Sequence, residues 1–192
     1  ICSDEIHCDL ILDADKKHIP TACISPEAAA RTITLMAPSK TFNIPGLGCS
    51  FAVISNRDLR NKFLQAMQGI VPDVNIFGFT AAAAAYRDGW AWHAGLLEYL
   101  RGNSRLVEKE IASMEGLFMH HVEATYLAWI DASSIDPLLP ARYFEKAGVG
   151  LSEGSDFGLP GFVRLNFGCQ RSLLREALQR MKKMTESKSI SE

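Results

Sequence analysis

The stretch from Thr32 to Gly48 constrains the fold more than any other. Its first five residues, Thr32-Ile33-Thr34-Leu35-Met36, are β-branched or apolar and read as a buried strand. Lys40 follows, and Pro45, Gly46 and Gly48 then exclude regular structure. A lysine between a buried strand and a tight loop lies at the carboxyl edge of a sheet, where ligands bind in open α/β folds. Burial there favours the neutral amine, and with it Schiff-base chemistry. The alternative is a surface lysine in a loop. A phosphate-binding P-loop is excluded, because the position before Lys40 that should be glycine is Ser39.

The flanking segments fit a layered α/β arrangement. Ser25 and Pro26 read as N-cap and first residue of a helix that ends by Arg31. Cys49 to Ile54 is a second short strand, and Asn56 caps a helix whose apolar face is Leu59, Phe63, Ala66, Met67 and Ile70. Gly69 and Pro72 stop it. From Asn75 to Glu115 the pattern is helical throughout, as one long helix or two broken at Asp88-Gly89, with Leu97, Leu100, Ser104, Val107, Ile111 and Met114 in steps of three and four. A domain boundary is expected between about 75 and 100.

Beyond it lies a smaller α+β unit. Residues 125–130, 149–151 and 162–167 read as strands, 140–147 and 172–184 as helices, the last with Leu174, Ala177, Leu178 and Met181 inward. From Lys182 the periodicity fades and the chain is expected to fray.

Composition narrows the function. With 47% hydrophobic residues and a net charge of −2, the 192-residue chain can bury a core and carries no basic excess, so nucleic acid is not an expected partner. No apolar run reaches the roughly 20 residues that span a bilayer, so no membrane is expected either. The cysteines at 2, 8, 23, 49 and 169 are odd in number and form no C-x-x-C pair, which favours a reducing cytoplasm. The start, Ile1-Cys2-Ser3, is neither an initiator methionine nor a signal peptide, and an amino-terminal part is expected to be missing.

Arg164 stands among Val163, Leu165 and Phe167, and alternation puts it on the face opposite Val163 and Leu165. A charge in such a run needs an acidic partner or an anionic ligand, and a guanidinium fork matches a carboxylate. Asp4, His7 and Asp9 with His120 and His121 lack the i, i+4 histidine spacing of a helical metal site, so no metal is expected.

Taken in order, Ser3-Asp4-Glu5-Ile6-His7, Ala37-Pro38-Ser39-Lys40-Thr41-Phe42-Asn43 with Gly46-Leu47, the run from Glu123 to Asp131, and the run from Phe162 to Gly168 resemble the carboxyl-terminal half of fold type I pyridoxal-phosphate enzymes. The motifs are those of the class I/II aminotransferase superfamily, in its cystathionine β-lyase (C–S lyase) branch. The resemblance implies an α/β fold, with residues 1–90 as the carboxyl-terminal part of a large αβα cofactor-binding domain and 91–192 as a small α+β domain. It implies pyridoxal 5'-phosphate as cofactor and a small-molecule amino-acid substrate, cystathionine or another S-substituted cysteine. Lys40 would carry the cofactor and act as catalytic base, and Asp4 would pair with the pyridine nitrogen. His7 would lie near the ring hydroxyl, Ser39 would help hold the phosphate, and Arg164 would clamp the substrate α-carboxylate. Tyr126 lies on a strand that approaches the site in relatives.

Two positions depart from the wider superfamily. An arginine eight residues after the lysine and a serine three before it usually grip phosphate, and here they are Gly48 and Ala37. This favours the lyase branch over transamination. The family's amino-terminal half supplies the ring-stacking aromatic, an asparagine, a glycine-rich loop and a tyrosine from a second subunit, so a homodimer and that missing half are expected partners. The competing expectations are a class I/II aminotransferase and an inactive fragment serving dimerisation or interaction.

Overall fold

The computed structural model describes residues 1–189. The chain divides into two compact units, Ile1–Leu97 and Glu98 onward.

The first unit is built on three strands, β1 (Cys2–Asp4), β2 (Ile33–Met36) and β3 (Phe51–Val53), in the order β1-β2-β3. β1 runs parallel to β2, with Asp4 opposite Leu35, and β2 pairs antiparallel with β3. The connection from β1 to β2 contains α1 (Pro26–Arg31), whose start is fixed by the Ser25 hydroxyl accepting from the Ala28 N–H at 3.0 Å and by Pro26 in the first turn. After β2 comes α2 (Pro38–Thr41). α3 (Arg57–Met67) begins where the Asn56 side chain accepts from the Asp58 and Leu59 N–H groups, and α4 (Ile76–Asp88) where Asn75 caps Gly78. α5 (Trp90–Ile111) follows across Gly89, so the helical stretch is two helices, and the division between the units falls within α5.

The second unit holds the rest of α5 with β4 (Phe118–Met119), β5 (Leu127–Asp131), α6 (Pro140–Glu145), β6 (Ser152–Glu153), β7 (Phe162–Asn166) and α7 (Arg171–Ser189). Its sheet is antiparallel in the order β4-β5-β7-β6. Alternation divides the two central strands cleanly. Ala128, Ile130, Val163 and Leu165 are buried with Leu100, Val107, Ile111, Phe144, Leu174, Leu178 and Met181, while Trp129, Phe162 and Arg164 stay half-buried on the other face. Asn103, fully buried beside the apolar stripe of α5, donates to the Phe167 and Cys169 carbonyls and accepts from Arg171 Nε at 2.9 Å, fixing the chain as it leaves β7.

Several expectations need correction. β2 is only half-buried, with Thr34 as its one buried residue. The segment after it is not wholly irregular. Pro38 suits the first helical position, and the Phe42 N–H closes a turn on the Pro38 carbonyl at 2.9 Å, so Lys40 sits on a helical turn rather than in a loop. Asn43, at φ +53°, then ends it, and Pro45–Leu47 forms a short 3-10 turn. α3 stops at Met67 and Gly69 takes φ +75°, which leaves Ile70 off the helix and 81% exposed instead of on its apolar face. The short strand expected at 149–151 lies at Ser152–Glu153, because the Val149 N–H is used to close α6 on the Phe144 carbonyl at 3.2 Å. α7 does not fray at Lys182. Thr185 extends the buried stripe of Leu174, Leu178 and Met181, and the Tyr143 hydroxyl donates to the Met184 carbonyl at 2.8 Å. The expected fraying of residues 190–192 lies outside the described residues.

Candidate active site

Four of the five residues singled out in the sequence, Asp4, His7, Ser39 and Lys40, lie in the first unit, and Arg164 lies in the second. Asp4 is the last residue of β1. Because β1 and β2 are parallel and in register through Asp4 and Leu35, the end of β1 and the turn that carries Ser39 and Lys40 leave the sheet at the same carboxyl edge. Asp4 is exposed and its Oδ1 accepts from the Ile6 N–H at 3.3 Å, which starts the turn that carries His7. His7 and Lys40 are half-buried. The Lys40 Nζ makes no hydrogen bond or ion pair among the described residues. Ser39 lines an open cleft of about 720 Å³ with Ala37, Gly48, Ser50 and Asn75.

The lysine turn is held from below. Phe42, buried, meets Tyr86, Trp90 and His93 with ring centroids at 5.4, 5.3 and 6.1 Å. A side chain on Gly89 would run into the Phe42 ring, so the break between α4 and α5 is also the place where Phe42 fits. Burial, with Asp9, Cys8 and Cys49 nearby, pushes the Tyr86 hydroxyl up to about 12. The Cys8 thiol rises to about 11, by burial first and then by Asp9. Both groups are therefore protonated at neutral pH.

Glu5 is the residue that sequence reasoning quoted without giving it a role. Its side chain is 4% exposed and accepts from His18 Nε2 at 2.7 Å, the Thr21 N–H at 3.0 Å and the Ser3 hydroxyl at 2.9 Å. Burial alone would raise its pKa, but these bonds outweigh it and hold the carboxyl below the usual carboxylate range. The signal was the i, i+2 pairing of Ser3 with Glu5, which puts both on one side of the strand and Asp4 on the other. Thr41 was missed and Asp9 weighed only as a metal ligand, whereas the Thr41 hydroxyl donates to Asp9 Oδ2 at 3.0 Å.

In the second unit Arg164 pairs across the sheet with Trp129 on one side and Ser152 on the other. Its guanidinium lies 4.3 Å over the Phe157 ring and reaches the Ser152 hydroxyl at 3.4 Å. It has no acidic partner among the described residues, so no ion pair among them accounts for it. Phe157 arrives there through a tight turn, Gly154–Phe157, where a Cβ on buried Gly154 would collide with the Leu159 and Phe162 carbonyls. Trp129 stacks on Phe162 at 5.6 Å and meets Phe157 edge-on at 5.8 Å, so the arginine's aromatic support is itself braced.

Residues 1–181 match the family Aminotransferase class I and II, and the chain belongs to that family. It is similar to cystathionine beta-lyase PatB of Bacillus subtilis (strain 168), with 38% identity over 189 residues, 95% of this chain and 49% of PatB. The solved structure of OvoB matches at a TM-score of 0.94 and 52% identity, covering 97% of this chain and 49% of that one. Cystalysin from Treponema denticola, whose crystal structure contains a pyridoxal 5'-phosphate cofactor, matches at a TM-score of 0.90 and 32% identity, again over 97% and 49%. The chain thus spans about half the length of these relatives, and its α/β fold is the one they share.

Proposed function

We propose that the chain is the carboxyl-terminal half of a pyridoxal-phosphate-dependent C–S β-lyase that converts cystathionine or another S-substituted cysteine to a thiol, pyruvate and ammonia. In this reading residues 1–90 complete a large cofactor-binding domain and 91–192 form the small domain. The observation that carries it is the parallel register of Asp4 with Leu35, which brings an acid and a lysine to one carboxyl edge of the sheet. The groups at that edge fit the cofactor chemically. They offer a carboxylate for a pyridinium, an amine for an aldehyde and, at Ser39 on an open cleft, a hydroxyl for a phosphate.

When bound, pyridoxal phosphate supplies an electron sink for the bonds at the substrate Cα. With it in place, the Lys40 amine would take the proton from that carbon, and the Asp4 carboxylate would favour a protonated pyridine nitrogen. His7 would lie near the ring hydroxyl, and the Ser39 hydroxyl would donate to the phosphate. Arg164, its guanidinium 4.3 Å over the Phe157 ring, would bind the substrate α-carboxylate. The rest of the site would come from the amino-terminal half and a second subunit of a homodimer, working in the cytoplasm. Among the described residues no helix is long and apolar enough to cross a membrane.

The family match also favours a second reading, an aminotransferase using the same lysine, aspartate and arginine. Product analysis separates the two. Thiol and pyruvate are expected in equal amounts without added keto acid, and Lys40→Ala should abolish both. A strict need for a keto acid would sink the lyase reading.

A further inference from the structure

We infer that Asp9 and Thr41 form a positioning pair that sets the lysine turn against the end of β1, and so fixes Lys40 relative to Asp4. The inference rests on the proposed roles of those two residues but concerns neither of them directly. The sheet itself stops supplying this alignment early. The last link between β1 and β2 is the Glu5 N–H donating to the Leu35 carbonyl at 2.9 Å. Past it, one segment turns through His7 and the other through Pro38, and the proposed chemical groups lie on these two segments.

Thr41 rejoins them. It is the neighbour of Lys40, 1% exposed, and its hydroxyl donates to Asp9 Oδ2 at 3.0 Å. Asp9 is held in turn. Its own backbone carbonyl accepts from His93 Nε2 at 2.8 Å, and His93 is buried on α5 against Phe42, the residue after Thr41. The turn leading to Asp9 is closed by the Cys8 N–H on the Glu5 carbonyl at 3.0 Å and the Leu10 N–H on the His7 carbonyl at 2.9 Å. A closed circuit therefore runs from Asp4 through the turn to Asp9, across to Thr41 and Lys40, and back along β2. A buried hydroxyl donating to a carboxylate is among the stronger neutral-to-charged bonds, and an isosteric valine would keep the packing while losing it. Neither residue touches the reacting atoms in this scheme, so both act through Lys40.

The test compares Thr41→Val, which keeps the shape, with Thr41→Ser, which keeps the bond. The full chain is incubated with excess pyridoxal phosphate, reduced with borohydride and mapped by peptide mass, with the other lysines as background. Modification of Lys40 is expected to slow about tenfold or more in Thr41→Val and to stay near the unsubstituted rate in Thr41→Ser. Equal rates in the valine variant, or a serine variant as slow as valine, would overturn the inference. If Lys40 of the unsubstituted chain is not modified above background, cofactor binding needs the amino-terminal half, and the lyase reading is decided by product analysis of the whole enzyme. Amide hydrogen exchange of residues 37–43 without cofactor then decides the positioning claim. Faster exchange in Thr41→Val than in Thr41→Ser supports it, and identical protection overturns it.

Discussion

The second unit buries the faces its helices present, whereas the first leaves much of its apolar surface open. In the second, Leu100, Val107 and Ile111 of α5 and Leu174, Leu178 and Met181 of α7 meet a sheet face of Ala128, Ile130, Val163 and Leu165. In the first, α3 buries no residue and α4 only Gly78, while Ile76, Phe77 and Phe79 are exposed. An amphipathic pattern reports that a helix has a face to cover. It does not report that the cover lies in the same stretch of chain. The first unit nonetheless buries Phe42 against Tyr86, Trp90 and His93, and the lysine turn is anchored there.

Thermal or denaturant unfolding can break this contrast. Phe144→Ala, at a fully buried position of the second unit, should cost about 3–5 kcal/mol. Phe42→Ala should come close behind, at about 3 kcal/mol or more, if the first unit has a core of its own there. A small effect at Phe42 would mean that the two units differ more deeply than their burial indicates. Glu5→Gln should cost about 1–3 kcal/mol at neutral pH, since three donors lose their charged acceptor. The folded-state pKa of Glu5 is depressed, so its contribution is present above the unfolded value of about 4.3 and is lost as pH falls through the folded one. The gap between Glu5→Gln and the unsubstituted chain should therefore narrow on acidification, and a constant gap would refute the link. Ser25→Ala should cost about 1 kcal/mol through the lost cap of α1. Phe77→Ser, at 73% exposed, should change stability by no more than about 0.5 kcal/mol. A larger loss at Phe77 would show that something covers that face in solution.

The same contrast explains what could be read from the sequence. In the second unit the period of the apolar residues and their burial coincide, so Leu100, Val107, Val163 and Leu174 were legible as core, and Arg164 as a charge on the open face of its strand. In the first unit Ile70 was read as part of a helix face, but Gly69 had already turned the chain away. In the same unit the N-caps Ser25 and Asn56 were legible because capping is local chemistry. Glu5 with His18 and Asp9 with Thr41 were not, because each pair joins residues 13 or 32 positions apart and neither spacing has a periodic signature.

The alternation within β7 carries a consequence for how this sequence can change. Val163 and Arg164 differ by one position and face opposite sides of the sheet. A single inserted residue that shifted the strand would exchange them, driving a guanidinium into the core and a valine onto Phe157. β7 can therefore accept many replacements but no added or deleted residue, and length changes before it are limited to those that leave Phe157 over the guanidinium. Length changes in homologous chains should accumulate on that side of the strand and stop at Phe162.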